Sequence, residues 1–234
     1  PEEIRRLISI SAAMAPLEWK ETKINLIDIP GYFDFAGEQV GPMAVSDAAL
    51  ITVGAVSGLS VGAEKAWAMC DKAHTSRMIV INQMDRENAN FEKALGTITA
   101  KYGSHIAPIQ VPIVEGGKFT GVACVLENKA FIGEGKTLKA TEIPASVADE
   151  VESAREAIME AAAGADDELM EKFFEEGELS FEEMMHGLRK GIVEGTVVPV
   201  VCCSGITRVG LAKLLDNIID LMPSPAGGVL TGVN

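Results

Sequence analysis

Four short apolar runs punctuate this chain, at residues 24–28, 48–53, 78–82 and 197–201. Stretches with helical spacing lie between and after them, at 63–73, 91–101 and 211–222. Continuous apolar runs of this length, alternating with helices, predict a parallel sheet covered on both faces. In such a sheet a ligand sits outside the carboxyl ends of the strands. Asp28, Asn82 and Ser204 each fall at or just beyond such an end. The pattern therefore predicts three polar loops converging on one edge.

From residue 106 to 197 the pattern changes. Residues 111–113 and 120–126 have strand character, with turn signals at Gly116-Gly117 and Gly133-Glu134-Gly135. Two acidic helices are predicted after them, with capping-box starts at Ser146/Asp149 and Ser180/Glu183. Val147, Val151, Ala154 and Ile158 form one apolar stripe; Phe181, Met184, Leu188 and Ile192 form another. Both stripes, with Phe173 and Phe174, are expected in the core, as is Trp67. The segment reads as an α+β insertion. The chain then divides into 1–105, the insertion 106–197, a return at 198–225, and a linker at 226–234. The Pro223-Ser224-Pro225 stretch suggests that further chain follows. Pro1 is not expected to be the natural start.

Composition narrows the class. The chain has 234 residues, 47% of them hydrophobic, enough for one large domain with an insertion. No apolar run approaches the ~20 residues of a membrane span. Cys70, Cys124, Cys202 and Cys203 lack metal-ligand spacing; the adjacent pair reads as buried strand thiols. His74, His105 and His186 are scattered and carry no catalytic claim. The net charge is −14, and residues 142–190 hold 15 acidic against 4 basic side chains. That imbalance argues against a broad nucleic-acid footprint on this chain. The acidic lobe is either a solvated face or a docking surface for a basic partner.

Two motifs carry chemistry. Asn82-Gln83-Met84-Asp85 supplies a carboxylate that can accept from the ring N–H and exocyclic amine of guanine together, with an amide beside it. Hydrogen bonds to an ionised partner contribute about 1.5–3 kcal/mol each. Asp28-Ile29-Pro30-Gly31 offers a carboxylate to Mg²⁺ and a residue without a Cβ where a terminal phosphate approaches. Each motif alone also describes a turn after a strand. No G-x-x-x-x-G-K-[ST] phosphate cradle precedes them in the sequence, although such a loop holds phosphates through backbone N–H groups and a Lys.

Together these residues resemble the GTP-binding domain of translation elongation factor G. Asn25-Leu26-Ile27-Asp28-Ile29-Pro30-Gly31-Tyr32-Phe33-Asp34-Phe35 is similar to its switch II, and Asn82-Gln83-Met84-Asp85-Arg86 to its guanine-specificity loop. Ser204-Gly205 falls where the family has a short Ser-Ala-type loop on the base. The segment ending Leu221-Met222-Pro223-Ser224-Pro225 resembles its exit into the next domain. Counting back from Trp19, Arg6-Leu7-Ile8-Ser9 falls on switch I, with Ser9 where a Mg²⁺-binding Thr is expected.

The resemblance implies an α/β fold, a P-loop GTPase-type mostly parallel sheet lacking its first strand, with the α+β insertion subdomain. It implies GTP or GDP and Mg²⁺ as ligands, a GTP hydrolase in the full-length protein, and a fragment inactive alone. Asn82, Gln83, Asp85, Ser204, Gly205 and Asp28 would bind nucleotide. Ser9 and Asp28 would hold the metal; Gly31 and Tyr32 would take the catalytic places. The ribosome and further C-terminal domains are the implied partners, in the cytoplasm.

There are departures from the family. Tyr32 stands where strongly hydrolytic members have His, and a phenol, ordinarily titrating around pH 10, is not a near-neutral base. Gln83 replaces the Lys whose stem covers the base. Tyr32 with Ala15-Pro16-Leu17 resembles a divergent bacterial group of elongation factor G-like paralogues. The alternatives are a nucleotide-insensitive interaction protein on a degenerate scaffold and a ribosomal-protection GTPase.

Overall fold

The structure, a computed structural model, describes residues 2–227. The expectations for Pro1 and for the linker beyond residue 227 fall outside the described residues. A short helix, α1 (Glu2–Arg6), leads to a hairpin of β1 (Ala13–Trp19) and β2 (Thr22–Asp28). A 3-10 segment (Phe33–Gln39) and α2 (Val40–Val45) follow. Then come β3 (Ala48–Gly54), α3 (Val61–Ala73), β4 (Ser76–Asn82), α4 (Phe91–Tyr102) and β5 (Ile106–Pro108). An antiparallel sheet is built from β6 (Gln110–Glu115), β7 (Lys118–Cys124), β8 (Lys129–Ile132) and β9 (Lys139–Thr141). The chain ends with α5 (Ala148–Ala163), α6 (Asp167–Glu176), α7 (Phe181–Glu194), β10 (Val198–Cys202) and α8 (Leu211–Leu221).

The central sheet has the order β3-β4-β10-β5, and every neighbouring pair is parallel. Strand β4 shows why the sheet forms. Met78 and Val80 enter one apolar cluster with α5, α7 and α8, while Ile79 and Ile81 enter another with α3 and α4. Successive side chains point to opposite faces, so a strand covered on both sides must be apolar throughout.

Local signals start and stop the helices. Ser60 Oγ caps α3 through the Ala63 N–H at 3.2 Å, and Asn90 Oδ1 caps α4 through the Lys93 N–H at 2.7 Å. Helix α8 is entered through Gly210 at φ +82°, where a Cβ would sit 2.5 Å from the Cys202 carbonyl oxygen. Only glycine fits there.

The antiparallel sheet is not a detached body. Ile109 N–H donates to the Val200 carbonyl of β10, and the Ile109 carbonyl accepts from Val125 N–H. Strand β5 adds to the edge of the parallel sheet, so the chain leaves that sheet at Ile109. Helices α5 and α7 share one apolar cluster with β4 and β10.

Several expectations fail for identifiable reasons. Strand β2, which includes the 24–28 run, pairs antiparallel with β1 in a sheet of their own and is not in the parallel sheet. An apolar run does not specify its pairing partner. Ser146 does not cap α5; it lies in a 3-10 turn, and the N-cap is Val147 without a side-chain bond. Three helices stand where two were expected, because Gly164 and Asp166 end one and start another. Phe174 is 80% exposed and Phe181 52%, although both lie on or beside apolar stripes. The Ser180–Glu183 capping box forms as expected, and Trp67 is buried, stacked on Tyr102 at 3.7 Å between ring centroids.

Candidate functional site

Strand β4 carries Asn82 out of the sheet, and the chain then turns through Gln83 at φ +65°. Asn82 Oδ1 accepts from the Gln83 N–H at 2.7 Å and from the Gly205 N–H at 3.0 Å. One amide oxygen therefore ties its own loop to a loop 123 residues away. The backbone adds to that tie, since Met84 N–H donates to the Cys203 carbonyl at 3.3 Å.

The second loop leaves β10 at Cys202. Ser204 is fully buried, and its hydroxyl donates to Asp85 Oδ1 at 2.6 Å while accepting from the Thr207 N–H at 3.0 Å. The buried Ser204 thus orients one oxygen of Asp85, a residue that is itself exposed. An exposed, oriented acceptor with an amide beside it matches a ring bearing two adjacent donors. Guanine is a ring of that kind. Burial pushes the thiol of neighbouring Cys203 up to about 12, so that position stays neutral beside Asn82 and Ser204.

A third loop lies against the first, and the motif reading omits it. The residue after β3, Ala55, donates its N–H to the Asn82 carbonyl at 2.9 Å. A Cβ on Gly54 would lie 3.5 Å from Gln83 Oε1 and 2.6 Å from Ser57 Oγ. The Gly/Ser-rich composition of residues 54–62 marks the loop in sequence; its placement beside Gln83 does not show there.

The other candidate residues gather elsewhere. Asp28 ends β2, opposite Ala13, and its Oδ2 accepts from Ser9 Oγ at 2.7 Å. A hydroxyl and a carboxylate in contact are hard oxygen ligands of the kind Mg²⁺ takes. Pro30 is buried and Tyr32 is 57% exposed. The Gly31 carbonyl oxygen would lie 3.6 Å from a Cβ on Gly62, in the first turn of α3. The Asp28-to-Gly31 loop therefore lies beside the first turn of α3, although its own strand is not in the sheet. A Cβ on Gly31 itself would meet no protein atom within 4 Å, and its backbone is not left-handed. Neither packing nor backbone demands glycine at that position.

Two further ties hold the approach to Asp28. Glu3 Oε1 accepts from the Ile10 N–H at 2.7 Å, and Glu38 Oε2 accepts from the Ala12 N–H at 2.9 Å. The backbone bonds from Ile10 and Ser11 hold the Glu3 carboxyl below its ordinary range.

With these loops placed, the comparisons become informative. The family of the elongation factor Tu GTP binding domain matches residues 1–224. The chain belongs to this family. A crystal structure of a protein from Thermus thermophilus superposes on the chain with a TM-score of 0.90 at 32% identity. The match covers 96% of this chain and 34% of that protein, so the chain spans about a third of its length. The α/β architecture with a parallel sheet is that of a P-loop GTPase. Family membership implies a translational-type GTP-binding domain of the hydrolase class that takes GTP or GDP with Mg²⁺. Among the described residues no helix is long and apolar enough to cross a membrane.

Proposed function

We propose that this chain is the guanine-nucleotide-binding part of a ribosome-associated translational GTPase resembling elongation factor G. It would act in the cytoplasm and couple hydrolysis to translocation or a related ribosomal step. One observation carries the base assignment: Ser204 and Asn82 lock two loops, far apart in sequence, around an outward-facing Asp85.

Asp85 accepts from the guanine ring N–H and amine. Adenine offers no such pair and would leave a desolvated carboxylate unpaired, a discrimination of about 10⁴. Asn82 and Gly205 shape the purine edge, and Gln83 lies along the base. Ser9 and Asp28 hold Mg²⁺, releasing the hydrogen bond they now share. Gly31 leaves room for the terminal phosphate, which explains a glycine that the protein itself does not need. Tyr32 holds the attacking water by its hydroxyl and leaves the proton to other groups, since phosphoryl transfer depends mainly on positioning and electrostatics. Bound GTP with Mg²⁺ supplies the transferable phosphoryl group. Residues 106–197 are proposed as an insertion in this domain, with further C-terminal domains as partners.

The test is a titration of fluorescent GDP on the full-length protein with Mg²⁺, with GTP and ATP as competitors. GTP should displace the probe and ATP should not. Equal competition by ATP, or no guanine binding at all, overturns the proposal. A second reading, docking of a basic partner on the acidic lobe, draws on the exposed Phe174 ring within that lobe. It predicts binding that is insensitive to nucleotide and weakened by salt.

A further inference from the structure

The turn of the hairpin, at the end away from Asp28, is held by a polar cluster that base recognition does not use. Trp19 Nε1 donates to Asp216 Oδ1 at 2.8 Å, and Lys20 Nζ reaches the same oxygen at 2.8 Å. Asp216 Oδ2 accepts from Lys213 Nζ at 2.8 Å. Lys213 also bonds Glu127, in the connection from β7 to β8, and its ammonium lies 4.4 Å from the Phe131 ring centroid. The hairpin, α8 and the antiparallel sheet therefore meet on the Asp216–Lys213 pair.

This cluster sits where helices place apolar side chains. Lys213, Asp216 and Asn217 lie at i, i+3 and i+4 on α8, and all three are buried. Lys213 is 4% exposed and Asp216 6%. A charge at such a depth is tolerated only when paired. Burial pushes the Asp216 carboxyl up, but hydrogen bonds from Lys20, Lys213 and Trp19 outweigh it and hold the group below its ordinary range. Burial likewise pushes Lys213 down, and its bonds to Asp216 and Glu127 outweigh that. Both groups are ionised.

The hairpin carries a displacement from one end to the other. Its register runs without a break from Trp19 opposite Thr22 to Ala13 opposite Asp28, about 20 Å at ~3.4 Å per residue. Its two strands pair with each other and with no other strand among the described residues. At the opposite end of the coupling, the antiparallel sheet is joined to β10 through Ile109.

We propose that Asp216 is a positioning residue. With Lys213 it latches the Trp19–Lys20 turn to α8 and to the Glu127–Phe131 segment, so that the hairpin and the Asp28-to-Gly31 loop move with the antiparallel lobe. The consequence for nucleotide sensing rests on the function proposed above; the latch itself does not.

Hydrogen exchange on the full-length protein tests the latch without nucleotide. In D216N, amides of residues 13–28 should exchange about tenfold faster, while those of β4 and β10 stay within about twofold. W19F, which leaves the buried Lys213–Asp216 pair intact, should give a rise of about threefold in the same hairpin amides. If D216N loosens the whole sheet, W19F decides alone. Hairpin exchange within about twofold of the parent in W19F, or in a folded D216N, overturns the latch.

The link to sensing is read separately. In D216N the preference for GTP over GDP should change about fivefold or more, with GDP affinity held within about twofold. A merely structural role would shift both nucleotides together. A loosened hairpin with unchanged preference overturns the positioning role. A parent protein that binds no guanine nucleotide, yet shows the exchange difference, sinks the functional reading and leaves the latch standing.

Discussion

The end of this molecule proposed to read the base and the end proposed to sense the phosphate are built in opposite ways. Asn82, Asp85 and Ser204 sit on loops that leave fully buried strands of the parallel sheet, and each is hydrogen-bonded to its neighbours before any ligand arrives. Ser9, Asp28 and Gly31 lie on or beside a two-stranded ribbon whose residues are exposed or half-buried. Preformed geometry suits a task that never changes, the reading of a base. A loop that must respond to a phosphate has to be free to move, so it is drawn from a less buried part of the fold. The Trp19–Asp216–Lys213 cluster is where the two kinds of structure are joined.

The largest expected effect lies at the rigid end. D85N replaces an oriented acceptor with a group that is half donor and loses two charge-assisted bonds. Guanine affinity should fall by about 10²–10⁴, with a xanthine nucleotide, which offers an acceptor in place of the amine, displacing the probe better than before. Competition titration measures both. Retained guanine selectivity would show that Asp85 is not the reading group.

Glycines give the next contrast. G210A forces a Cβ to 2.5 Å from the Cys202 carbonyl oxygen at a left-handed backbone position, and should cost about 3 kcal/mol in urea unfolding. G31A meets nothing within 4 Å, and should leave stability within ~0.5 kcal/mol while reducing the preference for GTP over GDP. Equal destabilisation by both would erase the distinction between the two ends.

The smallest effect is a pH response. The folded Asp216 carboxyl titrates below its ordinary value of 3.8. Its contribution to stability is therefore fully present above 3.8 and is lost as pH falls through the lower folded value. Exchange of residues 13–28 should rise in that acid range before exchange of β4 does, and D216N should remove the difference. Glu183 is a control in the same experiment. Its carboxyl is held down to about 2 by the Lys172 and Ser180 hydrogen bonds, so the α7 cap should survive from 4.5 until pH nears that value.

Periodicity and capping along the chain account for much of the fold. The 78–82 and 197–201 runs are buried strands and 48–53 is a partly buried edge strand, because a continuous apolar run suits a sheet covered by helices, and α3, α4 and α8 follow from their spacing. Ser180 with Glu183 identifies the start of α7 because that bond is local. The guanine proposal starts from an amide–carboxylate pair on one loop, since Asn82 and Asp85 are three residues apart and need no tertiary information to be associated.

Tertiary structure alone decided what depends on distant partners. Strand β2 reads as one more parallel strand, yet its ladder is with β1. Phe174 and Phe181 have the right residue type for a core, yet both are exposed and belong to neither apolar cluster. The same holds for the cluster on Asp216, whose partners lie 197 residues away at Trp19 and, through Lys213, 86 residues away at Glu127. The linear pattern determined which segments must be buried and which short motifs can hold a base, because those depend on nearest neighbours along the chain. Which charges share a buried site, and which ribbon reaches which helix, depends on how buried segments stack. That stacking is set by the whole core at once.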